Sequence, residues 1–335
     1  MVELPDADNY KKQVSPVMRA IQVIDSQPQL VEISEPAGDG VPVRVVSASI
    51  CASDLHMMDR GMVEGRVLGH EFAGIAPDGR AVAVEPVLGC GLCDYCADGY
   101  PGHCVEQFTV VGVNQDGGMA ETIVVPAENL VELPTGLDIR VASLIEPLAV
   151  AAHGMDQARI APRERVLVIG AGAIGLSVAA VLQYRGLAFD IAARHPAQQS
   201  AALRLGGRLS VSDGYDVVID AVGSQASIDD AVNRVRARGR ICMVGSFWEP
   251  PPVPQMLCVK EIALVGSMLY RCGRPDHPGG RKRTFDEAGK LLAGNPHVAD
   301  ILISHRFPLD GVSQAFAAAR DRSSGAIKVC FDVRD

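Results

Sequence analysis

Residues 165–175 read Arg-Val-Leu-Val-Ile-Gly-Ala-Gly-Ala-Ile-Gly, an apolar run that breaks into glycines at 170, 172 and 175. The chain then stays apolar to Tyr184, so that nineteen residues from Val166 carry no charge. A run of that length can cross a bilayer, but a span has no use for glycines spaced G-x-G-x-x-G. A β-strand that turns through glycines into a helix does, and in that context the spacing binds a dinucleotide pyrophosphate. Gly170 makes the turn, Gly172 lets the phosphates approach the backbone, and Gly175 lets strand and helix pack closely. Ala171, Ala173 and Ile174 complete the loop, whose N–H groups gather at a helix N-terminus and attract anions.

Outward from this turn the pattern repeats. Strand-like runs at 165–169, 188–193, 216–220 and 240–244 alternate with helical stretches ending at Tyr184 and at 198–205 and 227–236. Strand–helix alternation predicts an α/β fold with a doubly wound parallel sheet. Ahead of it, short β-branched runs at 43–49, 81–86 and 122–125 are separated by Gly and Pro, which marks a β-rich first half. After it, 306–319 reads as a Pro-started helix and 326–333 as a closing strand.

An NAD-binding unit offers a carboxylate to the ribose about twenty residues past the glycines. Nineteen residues after Gly175 this chain has Arg194, then His195, while Asp190 lies earlier, inside the expected strand. A guanidinium pairs with a 2′-phosphate that a carboxylate would repel. The expectation is therefore NADP(H) in preference to NAD(H).

The chain of 335 residues is long enough for two domains. With 48% hydrophobic and only 4% aromatic residues, its core must be mainly Val, Ile, Leu and Ala. A net charge of −9 gives no general attraction to nucleic acid or anionic lipid. Residues 1–16 carry charges and no apolar stretch of signal-peptide type. Nine cysteines, four of them within residues 90–104, do not make a secreted disulfide framework, so a reducing cytoplasm is expected.

Those four, Cys90, Cys93, Cys96 and Cys104, follow a C-x2-C-x2-C-x7-C pattern. Two residues between thiolates let one turn present both sulfurs to a single ion, and four thiolates close a structural zinc shell. Asp94, Asp98 and Glu106 lie around the array, which argues against a nucleic-acid-binding zinc module. A second, mixed set comprises Cys51, His70 with Glu71, and Glu146. A thiolate, an imidazole and a carboxylate leave zinc an open position, from which it acts as a Lewis acid on an alcohol oxygen. Asp54 is of the right type to hold the His70 ring. Taken singly, each residue has a plain structural reading; their company with the dinucleotide turn points to hydride transfer.

At this point the sequence resembles the zinc-containing medium-chain alcohol dehydrogenases, in the sorbitol and threonine dehydrogenase branch. The pieces that carry the resemblance are C-A-S-D-L-H at 51–56, G-H-E at 69–71, the cysteine array and D-G-G-M-A-E at 116–121. E-P-L-A-V-A-A-H at 146–153, G-A-G-A-I-G at 170–175 and H-R-F-P-L at 305–309 complete it. The resemblance implies a GroES-like β-barrel catalytic domain at 1–152 and 296–335, with the zinc lobe at about 89–105, and a Rossmann domain at 153–295. By position it implies Cys51, His70 and Glu71 as catalytic-zinc ligands, with Glu146 binding directly or through water. It implies Ser53 and His56 as the proton relay, and Val222-Gly223 and Val244-Gly245 as turns lining the nicotinamide. It further implies two zinc ions per chain, a small alcohol or carbonyl substrate, and a homodimer or homotetramer.

Two departures bear on substrate. The polyol branch has an Arg–Tyr pair where this chain has Leu269-Tyr270, and the segment 271–283 looks inserted and carries five basic residues. A solvated loop is one reading of that segment; attraction of an anionic substrate by Arg271, Arg274 and Arg281 is the other. The expected activity is reversible oxidation of a primary or secondary alcohol, with a polyol or amino-alcohol dehydrogenase using NAD as the alternative. A zinc-free quinone or enoyl reductase and a non-enzymatic zinc-binding protein are the remaining rivals.

Overall fold

The computed structural model describes residues 17–251, 254–273 and 283–334. A hairpin of β1 (Val17–Ile24) and β2 (Gln27–Ser34) opens it. Strand β3 (Val41–Ile50) leads through Cys51 into helix α1 (Ala52–Asp59), followed by β4 (Glu71–Ile75) and β5 (Ala81–Val84). Two short strands, β6 (Val87–Leu88) and β7 (Thr109–Val110), bracket the cysteine lobe and its one-turn helix α2 (Asp94–Ala97). β8 (Thr122–Val125), β9 (Leu130–Glu132) and α3 (Ile145–Ala158) end this half.

The strand–turn–helix unit lies where the sequence predicts it, as β10 (Val166–Ile169) and α4 (Ala173–Tyr184). After it come β11 (Asp190–Ala192), α5 (Pro196–Arg204), β12 (Tyr215–Asp220), α6 (Gln225–Arg234) and β13 (Val235–Met243). A short helix α7 (Met256–Val259) and β14 (Ala263–Gly266) finish a five-stranded sheet, ordered β11-β10-β12-β13-β14 and parallel throughout. The uncharged stretch is thus a strand, a turn and a buried helix, and no helix among the described residues is long and apolar enough to cross a membrane. Strand β13 begins five residues earlier than the sequence suggests. Arg238 takes a positive φ of 59° there, and the pairing register with β12 shifts.

Helices α8 (Thr284–Gly294) and α9 (His297–Leu302) lead back to the first half through β15 (Ile303–Pro308), α10 (Val312–Arg320) and β16 (Lys328–Asp332). The helix expected at 306–319 therefore starts later. Residues 303–308 alternate half-buried and exposed, the two-residue period of a strand, and pair in parallel with β16. A seven-stranded sheet results, ordered β15-β16-β3-β4-β5-β9, with β8 against the start of β3. The last strand of the chain thus lies beside β3, at the end from which Cys51 emerges.

Candidate active site and metal centres

Cys51 is the residue before α1, with extended backbone angles of −92° and 150°. Its N–H donates to the Asp54 carboxylate at 2.9 Å, and the Asp54 N–H donates back to the Cys51 carbonyl at 3.1 Å. This reciprocal cap fixes the thiol at the helix start and turns Asp54, fully buried, inward. The other oxygen of Asp54 faces His70 Nδ1 at 3.3 Å, as an ion contact out of hydrogen-bond alignment. That contact leaves Nε2 to point away from Asp54, and Ser53 Oγ lies 3.3 Å from it. Burial opposes a charge on His70, but Asp54 and Cys51 outweigh it and hold the imidazole well above its usual pKa.

Donor atoms of Cys51, His70 and Glu71 all lie within 4.8 Å of one another. The donor chemistry fits zinc: one thiolate, one imidazole whose second nitrogen faces a carboxylate, and one carboxylate. Glu71 starts β4 directly opposite Ser49 of β3, and its carboxylate is held by Ser49 and by Lys328 of β16. Glu146, in the first turn of α3, is buried close by but falls outside the three-residue donor group. Burial and the nearby Glu71 charge push its carboxyl up to about 8.

The lobe brings its four cysteine sulfurs within the same 4.8 Å limit. Backbone N–H groups point at them: Cys90 and Gln107 donate to Cys104 Sγ at 3.3 Å each, and Cys93 donates to Cys90 Sγ at 3.3 Å. These donors, Cys90 first, bring the Cys104 thiol down to about 6, whereas burial pushes Cys96 up to about 12. The lobe docks through Tyr100, whose hydroxyl accepts from Arg271 at 2.5 and 3.1 Å, and through the Cys272 N–H on Gly99 O at 2.9 Å. Arg271 is therefore committed to the lobe. Arg274 and Arg281 lie outside the described residues.

At the glycine turn, Gly170 has a φ of +94° and Gly175 faces the Gly170 carbonyl so closely that a Cβ would overlap it. Gly172 opens α4, and a Cβ there would meet nothing within 4 Å, which leaves a backbone ledge open to a phosphate. Ala171, Ala173 and Ile174 form the remainder of this turn and the first residues of α4. The turns at Val222-Gly223 and Val244-Gly245 leave the ends of neighbouring strands β12 and β13 and pack on each other, a Cβ on Gly245 lying 2.6 Å from Gly223 N. The buried Asp220 carboxylate braces the first, accepting from Val222 and Gly223 N–H at 2.9 and 3.1 Å.

Arg194 and His195 follow β11, beside the glycine turn, since Gly170 N–H donates to Ala192 O at 3.1 Å. Arg194 is exposed and makes no hydrogen bond or ion pair among the described residues. Asp190 is turned the other way, bonded to Arg208 at 2.7 Å and to the Tyr215 hydroxyl at 2.6 Å.

Three further residues belong to this site, of which Trp248 and Lys328 escape sequence reading and Tyr270 is legible beside Leu269. Trp248, the single tryptophan, stacks on His56 at 5.0 Å and lies 5.2 Å beneath the Arg60 guanidinium. Arg60 also pairs with Glu249 at 2.7 Å, so the loop after β13 is clasped to α1. Tyr270, 2% exposed, packs on Phe285 and has a buried hydroxyl without a hydrogen-bond partner among the described residues. Burial, then Glu146 among neighbouring anions, holds it protonated. Lys328 is the third. The rarity of tryptophan beside the Val244-Gly245 turn is a usable signal for the first, and Tyr270 is marked by its place after Leu269; a lone Lys in an apolar strand carries none.

Comparison with known proteins shows the family. The alcohol dehydrogenase GroES-like domain profile matches residues 37–135, and that of the zinc-binding dehydrogenases matches residues 207–292. The chain is 33% identical over 320 residues to L-galactonate-5-dehydrogenase of Escherichia coli K12, covering 85% of this chain and 89% of that protein. It is 30% identical to a probable D-xylulose reductase A of Arthroderma otae, over 80% of this chain and 85% of that one. The crystal structure of RspB, an alcohol dehydrogenase from E. coli CFT073 complexed with NADH, superposes with a TM-score of 0.82 at 28% identity. That match covers 94% of this chain and 99% of the other.

Proposed function

The chain belongs to the zinc-dependent medium-chain alcohol dehydrogenases, and from that membership we propose that it interconverts a secondary alcohol of a polyhydroxylated substrate and the corresponding ketone, with NADP(H) as its preferred cofactor. The observation that carries the reading is the Cys51–His70–Glu71 donor group, half-buried at Cys51 and buried at the other two, within a fold that also carries an open phosphate ledge at Gly172. When bound, zinc would supply a Lewis acid for the alcohol oxygen and the nicotinamide a hydride acceptor. Cys51, His70 and Glu71 would hold that ion, with Glu146 as a further carboxylate at its edge. Cys90, Cys93, Cys96 and Cys104 would hold a second ion that only shapes the lobe, giving two per chain.

Within this reading the chain's own groups divide the work. Asp54 orients the His70 ring through Nδ1. Ser53 Oγ, beside Nε2, accepts the substrate proton, and His56, one helical turn further along α1, delivers it to solvent. The clasp of Trp248 on His56 limits water entry from that side. The free guanidinium of Arg194, with Asp190 occupied elsewhere, supports recognition of a 2′-phosphate. The unpaired Tyr270 hydroxyl gives a polyol oxygen a donor that Leu269 does not. The domain division at 152/153 and 295/296 is proposed on the same footing, with the five-stranded parallel sheet on one side of it and the seven-stranded sheet on the other.

The test is turnover of a panel of polyols, sugar acids and simple secondary alcohols, each with NADP+ and NAD+. The expected result is a preference for NADP+ that Arg194→Ala reduces by roughly tenfold or more, the loss of about one charge-assisted contact. Failure to bind either dinucleotide would refute the enzyme reading. Equal preference before and after the substitution would refute the role of Arg194 alone.

A further inference from the structure

Lys328 is 3% exposed and lies at the start of the last strand, 257 residues from the carboxylate it meets. Its three ammonium protons have three acceptors: both oxygens of Glu71 at 2.8 Å each, and the Ile50 carbonyl at 3.3 Å. Ser49 donates to one of the same Glu71 oxygens. A carboxylate offers about four lone-pair sites, and Glu71 has three of them engaged. Yet Glu71 also belongs to the donor group with Cys51 and His70. It can therefore offer an ion one lone pair without giving up a bond it already makes.

We propose that Lys328 is a positioning residue that keeps Glu71 a one-oxygen, partly neutralised donor, so that the ion held by Cys51 and His70 retains a position for the substrate oxygen. The inference rests on those two residues holding a metal. Strand order makes it possible: β16 lies against β3, and β3 against β4, so that Lys328, Ser49 and Glu71 meet across three neighbouring strands. Without the ammonium, each Glu71 oxygen would have a lone pair available to the ion, Ser49 still engaging one site on one of them, and the ion would gain a ligand at the expense of its open position. Removal of a neighbouring positive charge would also strengthen retention of a dication.

Cobalt exchanged into the protein reports this without turnover, because added ligands weaken and shift its visible d–d bands. Lys328→Met should lower the bands of the Cys51–His70 ion roughly twofold and slow extraction of that ion by a chelator roughly tenfold. Lys328→Arg, whose fork also spans a carboxylate, should restore both. In a Glu71→Gln background, Lys328→Met should leave the bands unchanged, because only the electrostatic part of the slower extraction is independent of Glu71. Should Lys328→Met fail to fold, Ser49→Ala carries the test, moving the bands the same way by a smaller amount. Unchanged bands in the folded variants, or an equal shift in the Glu71→Gln background, would overturn the proposal and leave the metal site standing. Wild-type protein with no cobalt bands beyond those of the four-cysteine lobe would overturn both.

Discussion

Gly172 and Gly175 stand three residues apart in one loop and should respond to alanine in opposite ways. Gly172 has φ −78° and ψ −168°, extended backbone open to any residue, and a Cβ there meets nothing within 4 Å. Alanine is the poorer helix N-cap by less than about 1 kcal/mol, and it recovers about 0.4–1 kcal/mol by restricting the unfolded chain. The two nearly cancel, so the melting temperature of Gly172→Ala should stay within about 2 °C of wild type. Its methyl nevertheless projects into the space through which a pyrophosphate reaches the helix N-terminus. Loss of one charge-assisted hydrogen bond, about 1.5–3 kcal/mol, weakens dinucleotide binding roughly ten- to hundredfold. Gly175→Ala is different, since its Cβ would overlap the Gly170 carbonyl and lie 3.4 Å from the Ala221 Cβ. Backbone must move, at a cost of about 1–3 kcal/mol. Thermal melts of both variants, with fluorescence titration of NADPH, separate the two effects. Wild-type NADPH affinity in Gly172→Ala, or a Gly175→Ala melt no lower than that of Gly172→Ala, would refute the roles given to these two glycines.

Three further outcomes follow from the buried groups and the clasp. Burial pushes the Glu85 carboxyl up to about 8 despite Arg283 at 3.8 Å, so the native state keeps a proton that the unfolded chain releases near pH 4.3. That stabilisation is complete below the unfolded value and is lost as pH rises through about 8. Denaturant melts at pH 5 and pH 9 should therefore show wild type losing more stability than Glu85→Gln; parallel losses would disprove it. Chelation of the lobe ion should expose residues 90–104 to protease before the parallel sheet is cut, because the lobe has few apolar contacts of its own; first cleavage elsewhere would count against a structural ion. Arg60→Ala removes both the pairing with Glu249 and the cover on Trp248, and acrylamide quenching of the single tryptophan should rise roughly twofold. Unaltered quenching would mean the loop is held by something else.

Much of this molecule follows from local spacing. The strand, glycine turn and helix at 165–184, the cysteine pattern at 90–104 and the Cys51–Asp54 cap involve residues a few positions apart, so side-chain chemistry and backbone period are enough to place them. The tail at 303–308 went the other way. Its proline and the apolar residues after it suggested a helix, but pairing with β16 made it a strand. Residues whose roles depend on distant partners carried little mark in the sequence, Trp248 only its rarity. Lys328 reads as an ordinary strand lysine until β16 is laid beside β3, where it meets Glu71. Trp248 meets His56 only because the loop after β13 reaches α1. Asp190 fell too early for a ribose ligand by spacing, and the fold shows where its carboxylate goes instead, to Arg208 and Tyr215. Periodicity and motif spacing encode what a segment is, whereas burial of a charge next to its partner is settled by which strands become neighbours, and that depends on the whole chain packing at once.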